Sequence, residues 1–170
     1  MEVFKNLLKK IFIDGLSGMA TGLFTTLIVG TILTQIGSLI PGSVGSFLTI
    51  FGKVASALTG AGIGVGVAYK FKESPMVILS AASAGMVGAF ASKILEGSVL
   101  VDGVIQFSGP GEPLGAFLAS LAAIALGHLV SGKTSLDILV TPICGILAGS
   151  VVGLLVGPPI SAFMTYLGSL

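Results

Sequence analysis

Glu112 stands in Gly109-Pro110-Gly111-Glu112-Pro113, a run that cannot be regular helix. Proline lacks an amide donor and crowds the preceding turn. A carboxylate held in broken backbone at the start of an apolar run can accept the hydroxyls of a polar solute, such as a sugar, or hold a cation. Gln106, six residues earlier, brings an amide that both donates and accepts. His128 is the single histidine, near the end of a later apolar run. It reads either as a proton-responsive or ligand-contacting group or as an interfacial residue with no special task. Glu112, Gln106 and His128 are the candidate solute contacts. Lys53, the one charge between Gly15 and Tyr69, is a site in waiting or a side chain that snorkels to the interface.

Other chemistries are poorly served. Cys144 is the only cysteine and lies in an apolar stretch, so it reads as a small packed hydrophobe. One cysteine and one histidine make no thiolate or imidazole cluster for a metal, and no catalytic residue or cofactor is expected. Gly127 to Thr134, GHLVSGKT, matches the phosphate-loop pattern letter for letter. That loop works between a strand and a helix of a soluble α/β domain, whereas a membrane span precedes it here. Nucleotide binding is therefore not expected, and Lys133 is expected to mark a turn and pair with Asp137. Arginine is absent and the net charge is +1, so no basic patch awaits nucleic acid.

The elements that must position these residues are membrane helices. After Asp137 the chain has no charge at all, and charged residues make up 9% of it against roughly 25% in globular domains. Mean hydropathy is +1.10. The expected fold is an all-α membrane protein, a single domain with a bundle of about five transmembrane helices. The spans fall at about 16–36, 44–69, 75–94, 114–130 and 136–156. Residues 1–13 place Val3, Phe4, Leu7, Leu8, Ile11 and Phe12 on one helical face, which reads as an amphipathic helix lying in the headgroup region or as a polar flank with helical periodicity. The segment 97–113 is apolar enough to dip into the membrane or form a hairpin, or is a plain extramembrane loop. Pro158-Pro159 is expected to break the chain, leaving 157–170 as the start of a further helix or a re-entrant segment.

Lysines flank the spans unevenly. Lys5, Lys9 and Lys10, then Lys70 and Lys72, then Lys133 fall on one side if all five spans cross, which puts the N-terminus in the cytoplasm of a multi-pass protein of the cell membrane. Gly145, Gly149, Gly153 and Gly157 repeat every four residues and form a groove into which another helix can press.

Two segments resemble a known family. Glu112-Pro113-Leu114-Gly115-Ala116-Phe117 through Ser131-Gly132-Lys133-Thr134 to Asp137-Ile138-Leu139-Val140-Thr141-Pro142 is one. Gly157-Pro158-Pro159-Ile160-Ser161-Ala162-Phe163-Met164 is the other. Both are similar to bacterial phosphotransferase-system IIC-like membrane proteins of the perfringolysin O regulator type. The resemblance covers most of the chain from Lys10 and is densest over 111–168. It implies a transport component like the sugar-translocating IIC unit, with phosphoryl transfer left to cytoplasmic phosphotransferase partners. Glu112 matches the acidic position of the family's Gly-acid-Pro motif. Family members are about twice this length, so the chain reads as an N-terminal half, completed by a missing C-terminal half or by a second copy in a homo-oligomer within the lipid. The competing expectation is a membrane-embedded regulatory or assembly module, working through protein partners at the glycine stripe and the N-terminal helix.

Overall fold

A computed structural model describes residues 1–169. Helix α1 runs unbroken from Glu2 to Leu39, joining the expected interfacial segment and the first span into 38 residues. Two π-helical turns, Lys10–Gly15 and Phe24–Ile28, each absorb an extra residue. No proline interrupts the chain before Pro41, and Gly15 keeps helical angles (φ −63°, ψ −51°), so nothing stops the helix at Gly15. It ends where Ile40, preceding Pro41, is forced extended and Gly42 takes a positive φ of 85°.

The stretch expected as one span at 44–69 is two helices, α2 (Ser43–Ala57) and α3 (Thr59–Lys70), bent by 54° at Leu58. Thr59 Oγ1 donates to the Ser56 carbonyl at 2.7 Å, which satisfies an acceptor at the bend. Helix α4 (Pro75–Ala89) opens with proline at its first turn, where a missing N–H costs nothing. Phe90 breaks it, and a short α5 (Ala91–Leu95) follows. The 97–113 segment contains an antiparallel hairpin of β1 (Leu100–Val101) and β2 (Val104–Ile105), paired Leu100 to Ile105 and Val101 to Val104. Its two-residue turn, Asp102-Gly103, has both φ values positive (51° and 77°), the tight hairpin turn that an Asp-Gly pair favours.

Helix α6 (Pro113–Val130) starts directly after Glu112, and α7 spans Asp137–Gly168. The expected break at Pro158-Pro159 is absent: α7 continues through Pro142, Pro158 and Pro159. Proline's fixed φ near −65° is itself helical, and what it removes is one backbone hydrogen bond per ring. Membrane helices tolerate that loss. Helices α1, α6 and α7 are each long and apolar enough to cross a bilayer, the bent α2–α3 pair qualifies as one more, and α4 is shorter. Among the described residues the all-α membrane-type fold therefore has three or four full candidate spans, where about five were expected.

Backbone contact at glycine organises the bundle. A Cβ added at Gly18 would stand 2.5 Å from the Gly66 carbonyl oxygen, which brings α1 against α3. Gly30 meets Gly52 between α1 and α2, Gly60 meets Gly85 between α3 and α4, and Gly115 meets Gly88 between α6 and α4. The stripe Gly145, Gly149, Gly153 and Gly157 of α7 is buried, lying across Ser80, Ala84, Gly88 and Ala91 with Ala119 and Ala123 of α6 beside it. Small residues fill the centre: Ala81, Ala84, Ala116, Ala119 and Ala123 are fully buried, while Leu155 on the outside is 71% exposed. That is the inverse of a soluble core and is the arrangement expected where lipid surrounds the protein.

The glycine stripe of α7 carries a prediction. A side chain at Gly149 would stand 2.6 Å from the Ala119 carbonyl oxygen. Gly149→Leu should destabilise the bundle by at least about 2 kcal/mol through overpacking, read as an earlier melting transition in mild detergent. Leu155→Ala, on the lipid-facing side, should leave that transition nearly unmoved.

Candidate functional site

Helices α4 and α6 are about 22 and 27 Å long, from 15 and 18 residues, whereas α1 and α7 reach about 57 and 48 Å. The short helices meet partway along the long ones. Gly88 and Gly115 touch each other, and Gly153 lies against Gly88. Beyond this level α7 runs on uncharged from Gly157 to Gly168. Helix α1 crosses it near Thr26, whose hydroxyl bonds Thr59 at 3.3 Å, and continues uncharged to Leu39. The broken ends of α4 and α6 thus lie against α7, partway along its length.

The break is tightly built. Glu112 N–H donates to the Ala89 carbonyl at 2.7 Å, so the start of α6 caps the end of α4. Gly111 makes that approach possible, with φ at 70° and a would-be Cβ only 2.6 Å from the same carbonyl. Phe90, 1% exposed, packs against Phe107 with ring planes tilted by 33° and centroids 4.7 Å apart. Lys93 Nζ donates to the Ser108 carbonyl at 3.1 Å and lies 5.6 Å from the Phe90 ring centre. These contacts tie the return of the hairpin onto α5.

Between these elements and α7 lies a cavity of about 290 Å³, lined by Lys93, Ser108, Glu112 and Ser161 among others. The Oε2 atom of Glu112 is buried and has no hydrogen-bond partner among the described residues. A buried carboxylate oxygen left unmatched is costly, about 1–3 kcal/mol or more for a charged group. Such an orphan marks the place where a ligand's donor would be rewarded. Ser161 and Ser108 offer hydroxyls in the same cavity, and Lys93 offers an ammonium. The set can hydrogen-bond a hydroxylated solute on several sides.

Gln106 lies next door, in a groove of about 540 Å³ that shares Ser108 with the Glu112 cavity. His128 does not join them. It is at the opposite end of the bundle, 68% exposed, with Nδ1 2.9 Å from Oε2 of Glu73, whose side chain is 7% exposed. Lys72 in the left-handed region (φ 58°) closes α3 there, and Glu73 N–H reaches back to the Ala68 carbonyl at 3.1 Å. Lys10 stacks over Phe71, and the hydroxyls of Ser74 and Ser131 are 3.2 Å apart. The N-terminal helix, the α3–α4 turn and the α6–α7 turn therefore gather at one end.

Residues 127–134 do not form a phosphate cradle. The Gly132 amide is occupied by Asp137 Oδ1 at 2.8 Å, and the same oxygen accepts from Thr141 at 2.6 Å. Asp137 thus binds its own turn, not Lys133 as the sequence led us to expect. Cys144 is half-buried and free, and no three metal-ligating side chains converge among the described residues. Sequence reasoning missed Lys93 and Ser161. Lys93 carried a usable signal, a charge in the last turn of an otherwise apolar run. Ser161, in a polar-poor tail, carried none.

Residues 13–170 match the family model described as Phosphotransferase system, EIIC. No curated protein and no solved structure matches the chain.

The gathered end can be tested by chemistry. In a Cys144→Ala background, Ser74→Cys with Ser131→Cys should form a disulfide under mild oxidation, since the two hydroxyls lie 3.2 Å apart. Proteolysis between the sites should leave fragments joined until reductant is added. Fragments that separate without reductant would place the two turns apart.

Proposed function

The chain belongs to the phosphotransferase-system EIIC family of membrane transport components, and from that premise we propose that it carries a sugar through a site centred on Glu112. The observation that supports this reading is the buried Oε2 of Glu112, unmatched among the described residues, at a helix break set against the long apolar helix α7. Carriers bind polar solutes where interrupted helices free backbone and side-chain groups near the bilayer midplane. Sugar hydroxyls donate to a carboxylate, and Ser161 and Ser108 sit where they can meet the remaining edges. Gln106 belongs to the approach rather than to the cavity itself. His128, paired with Glu73, belongs to the opposite mouth.

Orientation follows from charge. Lys5, Lys9, Lys10, Lys70, Lys72 and Lys133 are carried by the three segments that gather at one end, so that end is cytoplasmic. Cytoplasmic phosphotransferase components would meet the protein there, and phosphoryl transfer would occur on them. The large apolar side chains left exposed face lipid, a second copy or a C-terminal half. A regulatory module docking through the α7 glycine stripe is disfavoured, because α4 and α6 of the same chain already cover that stripe.

Replacing Glu112 by Gln keeps the shape and removes the charge. Charge-assisted hydrogen bonds contribute about 1.5–3 kcal/mol, so sugar uptake should fall about tenfold to a hundredfold with the melting transition kept. Unchanged uptake would remove Glu112 from the site. For orientation, Ser74→Cys should react with an impermeant thiol reagent only from the cytoplasmic side, and Asp102→Cys only from outside. The reverse pattern would invert the topology.

A further inference from the structure

Lys53 is the one charged side chain between Gly15 and Tyr69, and it lies inside α2 rather than at an end. Its neighbour Gly52 presses on Gly30 and Thr34 of α1, whereas Lys53 itself is exposed beside that contact. An ionisable group on a candidate membrane span is costly and marks a ligand path or a partner. No carboxylate pairs with it among the described residues.

One side of Lys53 offers polar groups. The groove of about 540 Å³ beside it is lined by Thr31, Thr34, Ser56, Gln106 and Ser108. Thr31 Oγ1 donates to the Leu27 carbonyl at 2.7 Å, and Thr34 Oγ1 to the Gly30 carbonyl at 2.9 Å. Each has spent its proton, so each offers only acceptor lone pairs to a visitor. Gln106 can donate or accept, and the ammonium can only donate. The groove joins the Glu112 cavity at Ser108, whose carbonyl holds the second ammonium, Lys93. Two lysines thus flank Ser108, against the single carboxylate of Glu112 in these two cavities.

A neutral sugar would satisfy the threonine oxygens and leave the Lys53 charge without a counterpart. A polyhydroxylated carboxylate satisfies both, its hydroxyls donating to Thr31 and Thr34 and its anion facing Lys53. A doubly charged phosphate is matched less well by one ammonium, in a chain with no arginine to grip it. We propose that the Lys53 groove is an outer subsite that selects the carboxylate of a sugar acid on its way to Glu112. This deepens the reading of the Glu112 cavity as the solute site and rests on it.

The test uses the full chain in phosphatidylcholine nanodiscs, with its lysines carrying 13C-methyl labels that preserve their charge. Gluconate and glucitol are the probes, matched except for the carboxylate. The signal that disappears in Lys53→Met should move saturably with gluconate, with a dissociation constant of about 1 mM or tighter, and stay still with glucitol. Lys53→Met should weaken gluconate binding about tenfold or more. No saturable shift, or equal shifts with both probes, overturns the proposal. So does a signal that moves only when phosphatidylglycerol is added, because the lysine then serves a lipid headgroup. If Glu112→Gln abolishes uptake while Lys53 stays silent, the transport reading stands and this subsite falls. A Lys53 response with normal Glu112→Gln uptake leaves the anion subsite in place and removes Glu112 as the centre of the path.

Discussion

Backbone-to-backbone contact at glycine is the constraint on which the rest of this structure depends. Lipid offers no hydrophobic reward for bringing helices together, so close approach and dispersion must supply it. Each contact here is a place where one missing Cβ lets two helices touch. Helix α3 shows the economy of the device. Gly62 and Gly66 face α1, whereas Gly60 and Gly64 face α4, so one twelve-residue helix is pinned on two sides.

The same contacts create the site. Gly88, Gly115 and Gly153 bring three helices together one turn from the break at Phe90. Only because α4 and α6 approach so closely can the Glu112 amide reach the Ala89 carbonyl. That capping bond answers the acceptor left by the end of α4 and fixes the carboxylate at the edge of the cavity. Packing therefore holds in place a group whose own burial is unfavourable. A fold selected for stability alone would not keep an unmatched carboxylate oxygen there.

The two ends of the bundle solve different problems. At the lysine-rich end Glu73, Ser74, His128, Ser131 and Asp137 are satisfied by side-chain and backbone partners across the turns. At the other end Glu112 and Lys53 are left without ionic partners among the described residues, beside open cavities. One end is fastened, and the other holds polar groups in reserve.

Much was legible in the chain itself. The charge-free runs and the glycine spacing determined a helical membrane protein, because they reflect solvent and close packing, which act residue by residue. Pro110 to Pro113 announced a break at Glu112, and Asp102-Gly103 is a local turn signal that needed no tertiary partner. Tertiary structure alone decided the outcomes that turn on competition between weak local signals. Pro158-Pro159 reads as a stop, yet α7 continues as helix through it, with Gly157 seated on Ala91 of α5 just before the pair. Leu58 reads as mid-span, yet the chain bends there by 54°, where α2, packed on α1, gives way to α3, packed on both α1 and α4. The meeting of Glu112 with Lys93 and Ser161, and the separation of His128 from both, were also decided there. Those residues are far apart along the chain, and only the depth at which the short helices stop determines which of them share a cavity.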